Sequence, residues 1–242
     1  MLTPHKKDSL HKAWLCRILA HIADDSFLPS VLYFKGGTCA SMLGWLDRFS
    51  VDLDFDYAGT QKEIPKTRTA LKKIFNKLSL SIKDTSKNGV QYFLKYEAQG
   101  RNTLKIDTTF PLSFTNTYAP QRFLEIDRVF ICQTIETMFA HKLLAVMDRQ
   151  KKHGSIAGRD IYDIHHFFLK GYSYSSDVLR EIHGTHVKVF FEKLYAFIEE
   201  RVTDKLVSED LNYLLPAQKF QLMRKVLKKE TLNLLRDEIS RL

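Results

Sequence analysis

The chain has 242 residues, of which 44% are hydrophobic and 27% charged, and its formal net charge at pH 7 is +9. This composition excludes an intrinsically disordered protein, and no apolar run reaches the roughly 20 residues that span a bilayer. The N-terminus lacks a signal-peptide pattern, and three widely spaced cysteines fit no metal-ligand spacing. We therefore expect a cytoplasmic protein with reduced thiols. The excess of positive charge suits a polyanionic partner such as a nucleic acid or a nucleotide.

The first half of the chain alternates between helix and strand patterns. The predicted helices are 9–23, 38–46 and 65–78. The predicted strands are 31–35, 49–57, 78–85, 90–98, 102–110 and 122–127. Turn sequences at Lys87-Asn88-Gly89 and at 99–102 separate the third, fourth and fifth of these strands.

Beyond about residue 133 the pattern of apolar residues is helical to the end of the chain. The predicted helices are 134–150, 159–171, 186–202 and 218–242. The change in pattern predicts two domains, an α/β domain with a mixed sheet over residues 1–130 and a helical bundle over residues 131–242.

Three aspartates alternate along the predicted strand 49–57. Asp52, Asp54 and Asp56 fall on one face because a strand has a period of two residues, and the apolar residues between them fall on the other face. Neighbouring carboxylates repel one another unless a cation lies between them, and Mg²⁺ prefers such oxygen ligands. The pattern favours a divalent-metal site, although a solvated edge strand shows the same alternation.

Gly36-Gly37-Thr38 follows an apolar strand pattern and opens a predicted short helix. Two residues without a Cβ allow backbone N–H groups to converge on an anion. The sequence GxxxxGK[ST] of the Walker loop does not occur in the chain. A Gly-Gly turn followed by Asp-x-Asp on the next strand places a phosphate cradle beside metal carboxylates, and phosphoryl or nucleotidyl transfer requires both.

The stretch KGGT…G…RFSVDLDF, between residues 35 and 55, resembles the signature of the AbiEii/AbiGii nucleotidyltransferase toxins, a branch of the DNA polymerase β-like nucleotidyltransferase superfamily. Two later segments are also similar to the family pattern, and they carry Glu136, Lys142, Arg149, Arg159, Asp160 and Asp163. The resemblance extends over about residues 31–170. It implies an α/β (α+β) nucleotidyltransferase fold with a mixed sheet, and a C-terminal helical bundle that closes the active-site cleft.

The resemblance also implies roles for the carboxylates. Asp52 and Asp54 would bind the metal, Mg²⁺ or Mn²⁺, and Asp56 would have a supporting role. Many superfamily members use a third carboxylate from a neighbouring strand, as a metal ligand or as a general base. Asp107 in KIDTT is the candidate for this position, and Asp127 in LEID is the alternative.

Further residues would contact the nucleotide, and Asp163 would either contact it or orient Lys142. The residues assigned to nucleotide binding are Lys35, Gly36, Gly37, Thr38, Arg48, Ser50, Lys142, Arg149 and Asp160. For Arg48, the sequence leaves open whether the guanidinium binds a phosphate or a neighbouring aspartate such as Asp47.

The function implied by the resemblance is that of a toxin from a bacterial toxin–antitoxin or abortive-infection system. Such an enzyme transfers NMP from an NTP to an acceptor hydroxyl, here the 3′ end of tRNA, releases pyrophosphate, and has a cognate antitoxin. Several alternatives stay open: a metal-dependent RNA phosphodiesterase, a nucleotidyltransferase that modifies a protein or a small molecule, and a non-catalytic RNA-binding protein.

Overall fold

The computed structural model describes residues 1, 5, 8–97 and 102–242, apart from the side chains of residues 152 and 153. Most of the turn predicted at 99–102 therefore lies outside the described residues, as do two side chains of the basic segment 149–153. The chain divides into two compact units, Met1–Gln133 and Thr134–Leu242. No helix in the described ranges combines the length and the apolar character needed to cross a membrane.

The first unit contains a seven-stranded mixed sheet in the order β3-β4-β5-β2-β1-β7-β6. Its strands are β1 Leu32–Lys35, β2 Leu53–Tyr57, β3 Ser81–Thr85, β4 Tyr92–Lys95, β5 Thr103–Thr109, β6 Tyr118–Phe123 and β7 Arg128–Gln133. Its helices are α1 Asp8–Ala23, α2 Leu28–Val31, α3 Gly36–Met42 and α4 Ile64–Lys77. β2 runs parallel to β5 and β1 parallel to β7, whereas the other neighbouring strands are antiparallel. The predicted α/β fold with a mixed sheet is confirmed.

The apolar face of this sheet forms the core of the first unit. Phe34 in β1 is fully buried, and its ring centroid lies 5.2 Å from that of Phe55, 5.5 Å from that of Phe123 and 5.7 Å from that of Phe130. Helix α4 contributes Phe75, whose ring packs edge to face on Tyr92 of β4 at 5.0 Å. Because side chains alternate along a strand, burial of this face leaves the aspartates of β2 on the opposite face.

Several strand predictions were wrong in their bounds: the strand predicted at 78–85 begins at Ser81, and the one predicted at 90–98 is Tyr92–Lys95. The physical reason is visible for two others. The strand predicted at 49–57 begins at Leu53, because the carbonyl groups just before it bind side chains instead of a neighbouring strand. Nε2 of the buried His11 donates to the Val51 carbonyl oxygen at 2.8 Å. In the strand predicted at 122–127, residues 124–127 form a turn, and Asp127 has a φ of +50°. The real strands β6 and β7 lie on either side of this turn.

The second unit consists of helices. They are α5 Ile135–His153, α6 Gly158–Leu169, α7 Ser176–His183, α8 Val187–Arg201, α9 Asp204–Leu211 and α10 Ala217–Arg241. The four predicted helices correspond to α5, α6, α8 and α10, whereas α7 and α9 were not predicted. Helix α6 is central to the unit, since its nine buried residues include Asp160 and Asp163. The fold thus has the C-terminal helices that the sequence predicted.

We expect the substitution Phe34→Ala to lower the free energy of unfolding by about 3–5 kcal/mol, because it leaves a cavity among three other rings. The matched control is Phe114→Ala, since the Phe114 side chain is 98% exposed and its loss should change stability by no more than about 0.5 kcal/mol. Urea unfolding followed by circular dichroism measures both. Equal losses in the two variants would contradict this assignment of the core.

Candidate active site

The turn between β1 and α3 lies directly against the aspartate strand. Gly36 has a φ of +78°, and a Cβ at this position would lie 2.6 Å from Oδ2 of Asp54. A Cβ on Gly37 would lie 2.9 Å from both Nη2 of Arg48 and Oγ of Ser50. Any larger residue would therefore displace these side chains, so the two glycines are required for the close approach of the turn to Asp54.

Thr38 has a different position from the one predicted. Its side chain is completely buried, and Oγ1 donates a hydrogen bond of 2.5 Å to the backbone carbonyl oxygen of Asp52. The hydroxyl group therefore positions the chain at Asp52, and we withdraw its assignment as a phosphate ligand.

Arg48 is also buried, with 2% of its surface exposed, and Nη1 donates to the carbonyl oxygen of Phe49 at 2.9 Å. The hydroxyl of Ser41 in α3 donates to the Arg48 carbonyl at 2.8 Å. The guanidinium group thus lies beneath the Gly-Gly turn and connects it to the loop before β2. Ser50 lies beside Gly37 and is partly exposed, which keeps it a candidate phosphate ligand.

The carboxylates of Asp54 and Asp107 lie on neighbouring strands. Asp54 of β2 is in register with Asp107 of the parallel strand β5, and such strands are about 4.8 Å apart. Oδ2 of Asp107 accepts from Lys105 Nζ at 2.5 Å, and Oδ1 accepts from Gln91 Nε2 at 2.9 Å. Sequence reasoning missed both partners, although Lys105 lies two residues before Asp107 and therefore shares its face of β5.

Asp127, the alternative third carboxylate, lies elsewhere in the sheet. Cys132 of β7 pairs with Phe34 of β1. Asp127 precedes Cys132 by five positions, which places Asp127 roughly 16 Å from Cys132 along the sheet. Its Oδ1 is 2.6 Å from Nη2 of Arg122, and the side chain is 69% exposed. The structure therefore brings Asp107, and not Asp127, next to Asp54.

Asp56 is the third aspartate of the predicted face, and it is 99% buried. Its Oδ1 is 2.6 Å from Lys35 Nζ. Its Oδ2 accepts hydrogen bonds from Gln133 Nε2 at 2.6 Å, from the Tyr118 hydroxyl at 2.7 Å and from Asn116 Nδ2 at 3.3 Å. Burial and this carboxylate together raise the pKa of Tyr118. Asp56 is thus bound by protein donors on both oxygens.

Lys35 was predicted to contact the nucleotide. Its ammonium group instead bridges strands within the sheet, since it also donates to Oγ1 of Thr109 at 2.7 Å. Two of its three protons are directed at Asp56 and Thr109. These bonds fix the end of β1, and with it the start of the Gly-Gly turn.

The carboxylates can be compared with the needs of a divalent metal. Across the described part of the chain, no three His, Cys, Asp or Glu side chains converge on one point in a way that could hold a metal ion. Mg²⁺, however, is commonly bound by one or two carboxylates together with water and substrate phosphates. Asp54, on β2 beside the Gly-Gly turn, fits this arrangement. Asp52 lies just before the strand and stays a predicted ligand, whereas Asp107 is bound by Lys105.

The second unit brings four of the predicted residues together. Lys142 Nζ of α5 lies 2.8 Å from Oδ2 of Asp163 and 3.3 Å from Oδ1 of Asp160, both in α6. Arg149 Nε lies 3.1 Å from Oδ2 of Asp160. Both carboxylates are at least 99% buried, whereas the Lys142 side chain is 18% exposed. Asp160 and Asp163 therefore hold Lys142 in position at the surface of this unit.

Two solved structures from Helicobacter pylori agree with the fold. Among solved structures, JHP933 from Helicobacter pylori is 17% identical, with a TM-score of 0.55 over 98% of this chain and 96% of that one. A second H. pylori protein, assigned as a nucleotidyltransferase, is 20% identical, with a TM-score of 0.56 over 96% and 98%. MenT4, a nucleotidyltransferase toxin from Mycobacterium tuberculosis, is 17% identical, with a TM-score of 0.49 over 98% and 88%. The search of curated proteins finds no match.

The sequence also matches a family model, described as the nucleotidyl transferase AbiEii toxin of type IV toxin–antitoxin systems, over residues 17–232. This match includes the Gly-Gly turn, the aspartate strand and the α5–α6 cluster. The chain therefore belongs to the AbiEii family of nucleotidyltransferase toxins.

Proposed function

We propose that this nucleotidyltransferase transfers NMP from an NTP to a hydroxyl group at the 3′ end of an RNA acceptor, namely tRNA, with release of pyrophosphate. The observation that carries the proposal is the close approach of the Gly-Gly turn to Asp54, which brings backbone without side chains next to a candidate metal carboxylate. The net charge of +9 supports a polyanionic acceptor.

Asp52 and Asp54 would hold Mg²⁺, or Mn²⁺ in its place. When bound, such a cation neutralises charge on the triphosphate and on the leaving pyrophosphate. The backbone of the Gly-Gly turn and the hydroxyl of Ser50 would orient the triphosphate. Lys142 and Arg149 stay predicted nucleotide ligands of the second unit, where Asp160 and Asp163 hold them.

Asp107 would act as the general base. As the acceptor oxygen forms its bond to the α-phosphorus, the bond from phosphorus to the pyrophosphate oxygen breaks, and the proton of the acceptor hydroxyl passes to the carboxylate. During the transfer, the hydrogen bonds from Lys105 and Gln91 would keep Asp107 beside Asp54. A cognate antitoxin is the expected protein partner, because the family belongs to toxin–antitoxin systems.

The first test incubates the protein with Mg²⁺, total tRNA and each α-labelled NTP in turn. We expect label in tRNA from the wild type, and a loss of at least about 100-fold for Asp54→Asn, because one metal carboxylate is removed. The matched control is Asp84→Asn, an exposed aspartate on β3, which should retain full activity.

The same gel separates the alternatives. Cleavage of tRNA without NTP would establish the phosphodiesterase, and label in proteins or small molecules of a lysate would establish another acceptor. An unchanged yield of labelled tRNA from Asp54→Asn would contradict the assigned metal site.

A second prediction separates a structural from a catalytic aspartate. Asp56→Asn should lower the free energy of unfolding by about 2–4 kcal/mol, because it leaves Lys35 without a counter-charge and disturbs a buried network. Asp54→Asn should lower it less, by about 1 kcal/mol, because the Asp54 side chain is partly exposed whereas Asp56 is buried. Urea unfolding of both variants measures the difference, and similar losses in the two would overturn the distinction.

A third prediction concerns the general base. Asp107→Asn should reduce the rate of transfer by about 100-fold or more, whereas Asp127→Asn should retain the wild-type rate. Steady-state rates at saturating NTP measure both variants. A larger loss for Asp127→Asn would transfer the role to that residue.

A further inference from the structure

A groove of about 570 Å³ lies between α4 and the turn that joins β3 to β4, and we call it the α4 groove. The described residues that line it are Gln61, Ile64, Pro65, Arg68, Thr69, Lys72, Lys87 and Asn88. None of these is acidic, and three are cationic. Amide and hydroxyl groups lie between the cations, so the groove offers both charge and hydrogen bonds to an anion.

The groove lies in the most basic part of the chain. Residues 60–90 contain eight basic and two acidic residues, a net charge of +6, against +9 for all 242 residues. One of the two acidic residues, Glu63, is bound to the backbone and hydroxyl of Thr60. Positive charge concentrated on one surface is typical of proteins that bind nucleic acid.

Arg68 holds the two sides of the groove together. Its Nη1 donates to the carbonyl oxygens of Ser86 at 2.7 Å, Gly89 at 2.9 Å and Lys87 at 3.2 Å. The guanidinium of α4 therefore ties the β3–β4 turn to the helix. As a result, Lys87 from the turn and Lys72 from the helix are presented on the same groove in a defined arrangement.

Lys72 and Lys87 are exposed, and within the described ranges neither forms an ion pair. The second large groove, between α8 and α10, differs in this respect. It is also rich in lysine, but Glu199 and Asp204 line it, and Lys228 donates to the Glu199 carbonyl oxygen at 2.9 Å. Because two carboxylates lie among its cations, this groove is less favourable for a polyanion and serves as the reference surface.

A chain of contacts connects the α4 groove to the candidate active site within the first unit. Gln91, which directly follows the β3–β4 turn, donates to Asp107, and Asp107 is in register with Asp54. Two to three strand spacings and a few residues along the strand separate Asp54 from the turn, which is roughly 15–20 Å. Because α4 packs on the opposite face of the sheet, an acceptor strand would reach the groove by passing this turn. A stacked nucleic-acid strand covers this distance with about five nucleotides, at about 3.4 Å each.

We propose that the α4 groove binds the phosphate backbone of the RNA acceptor, about five nucleotides from the reacting hydroxyl. Lys72 and Lys87 contact phosphates, and Arg68 is a positioning residue that keeps them in place. This inference rests on the proposed function, because it takes RNA as the acceptor. An acidic protein partner is the competing occupant, and the experiment below tests it.

The experiment compares Lys72→Gln/Lys87→Gln with the matched control Lys225→Gln/Lys229→Gln, which removes two exposed lysines of the α8–α10 groove. The affinity for 5′-labelled tRNA is measured by fluorescence anisotropy at several salt concentrations between about 50 and 200 mM. Over this range the affinity of a protein that contacts phosphates falls steeply with salt. No NTP is added, so the result does not depend on catalysis.

We expect the first variant to bind tRNA about 10-fold more weakly, with a salt slope reduced by about 1.4–1.8, since each phosphate contact contributes about 0.7–0.9. The control should stay within about twofold of the wild type. Lys72→Arg/Lys87→Arg keeps the charges and should restore the affinity, which excludes misfolding as the cause.

Transfer assays then separate this inference from the proposed function. With full-length tRNA the first variant should show a raised KM and an unchanged kcat, and with a CCA trinucleotide, too short to reach the groove, it should equal the wild type. If the wild type labels neither RNA, the proposed acceptor is wrong, while the titration still reports on the groove.

Three results would overturn the inference. The first is a salt slope and affinity for tRNA that equal those of the wild type. The second is an equal loss in the control variant, which would reveal a diffuse effect of net charge. The third is a loss of binding to poly-glutamate with tRNA binding unchanged, which would assign the groove to an acidic protein partner.

Discussion

The buried ion pair between Asp56 and Lys35 is the interaction on which the geometry of the site depends. It joins β2 to β1, and the hydrogen bonds from Gln133 and Tyr118 extend it to β7 and β6. A slip of one residue in the pairing of β1 and β2 would turn the aspartates into the apolar core, so the network and the core select the same register. Since Lys35 directly precedes Gly36, this register also determines where the Gly-Gly turn meets Asp54.

Three aspartates that look equivalent in the sequence thus have three different environments. Alternation alone predicted that they share a face, and the Gly-Gly pair predicted a close approach of backbone to that face. The burial of Asp56, however, follows from donors 60 and 77 residues further along the chain. The hydrogen bond from Thr38 to the Asp52 carbonyl is equally invisible in a sequence. Local patterns identify a candidate site, whereas partners distant in sequence decide the role of each residue.

The helices and strands show a similar contrast between what a local pattern predicts and what it leaves out. The long helices α1, α4, α5 and α10 were predicted to within a few residues, because apolar residues recur at helical spacing over several turns. Helices α7 and α9 were missed because each has only eight residues, and so short a segment gives few repeats by which a helix can be recognised, however amphipathic it is. Strands β6 and β7 were missed because the turn between them, with Asp127 at a positive φ, has none of the glycines that usually mark such a turn.

The charged residues of this molecule are distributed unevenly between the interior and one basic segment. Unlike charges meet in the interior of both units, where Asp56 binds Lys35 and where Asp160 and Asp163 hold Lys142. Most of the unbalanced positive charge lies between residues 60 and 90, which form α4 and the β3–β4 hairpin. The same hairpin carries Gln91 to Asp107. The proposed acceptor surface at the turn and the hydrogen bond that holds Asp107 therefore belong to one hairpin, so the groove and the candidate site are built on the same piece of structure.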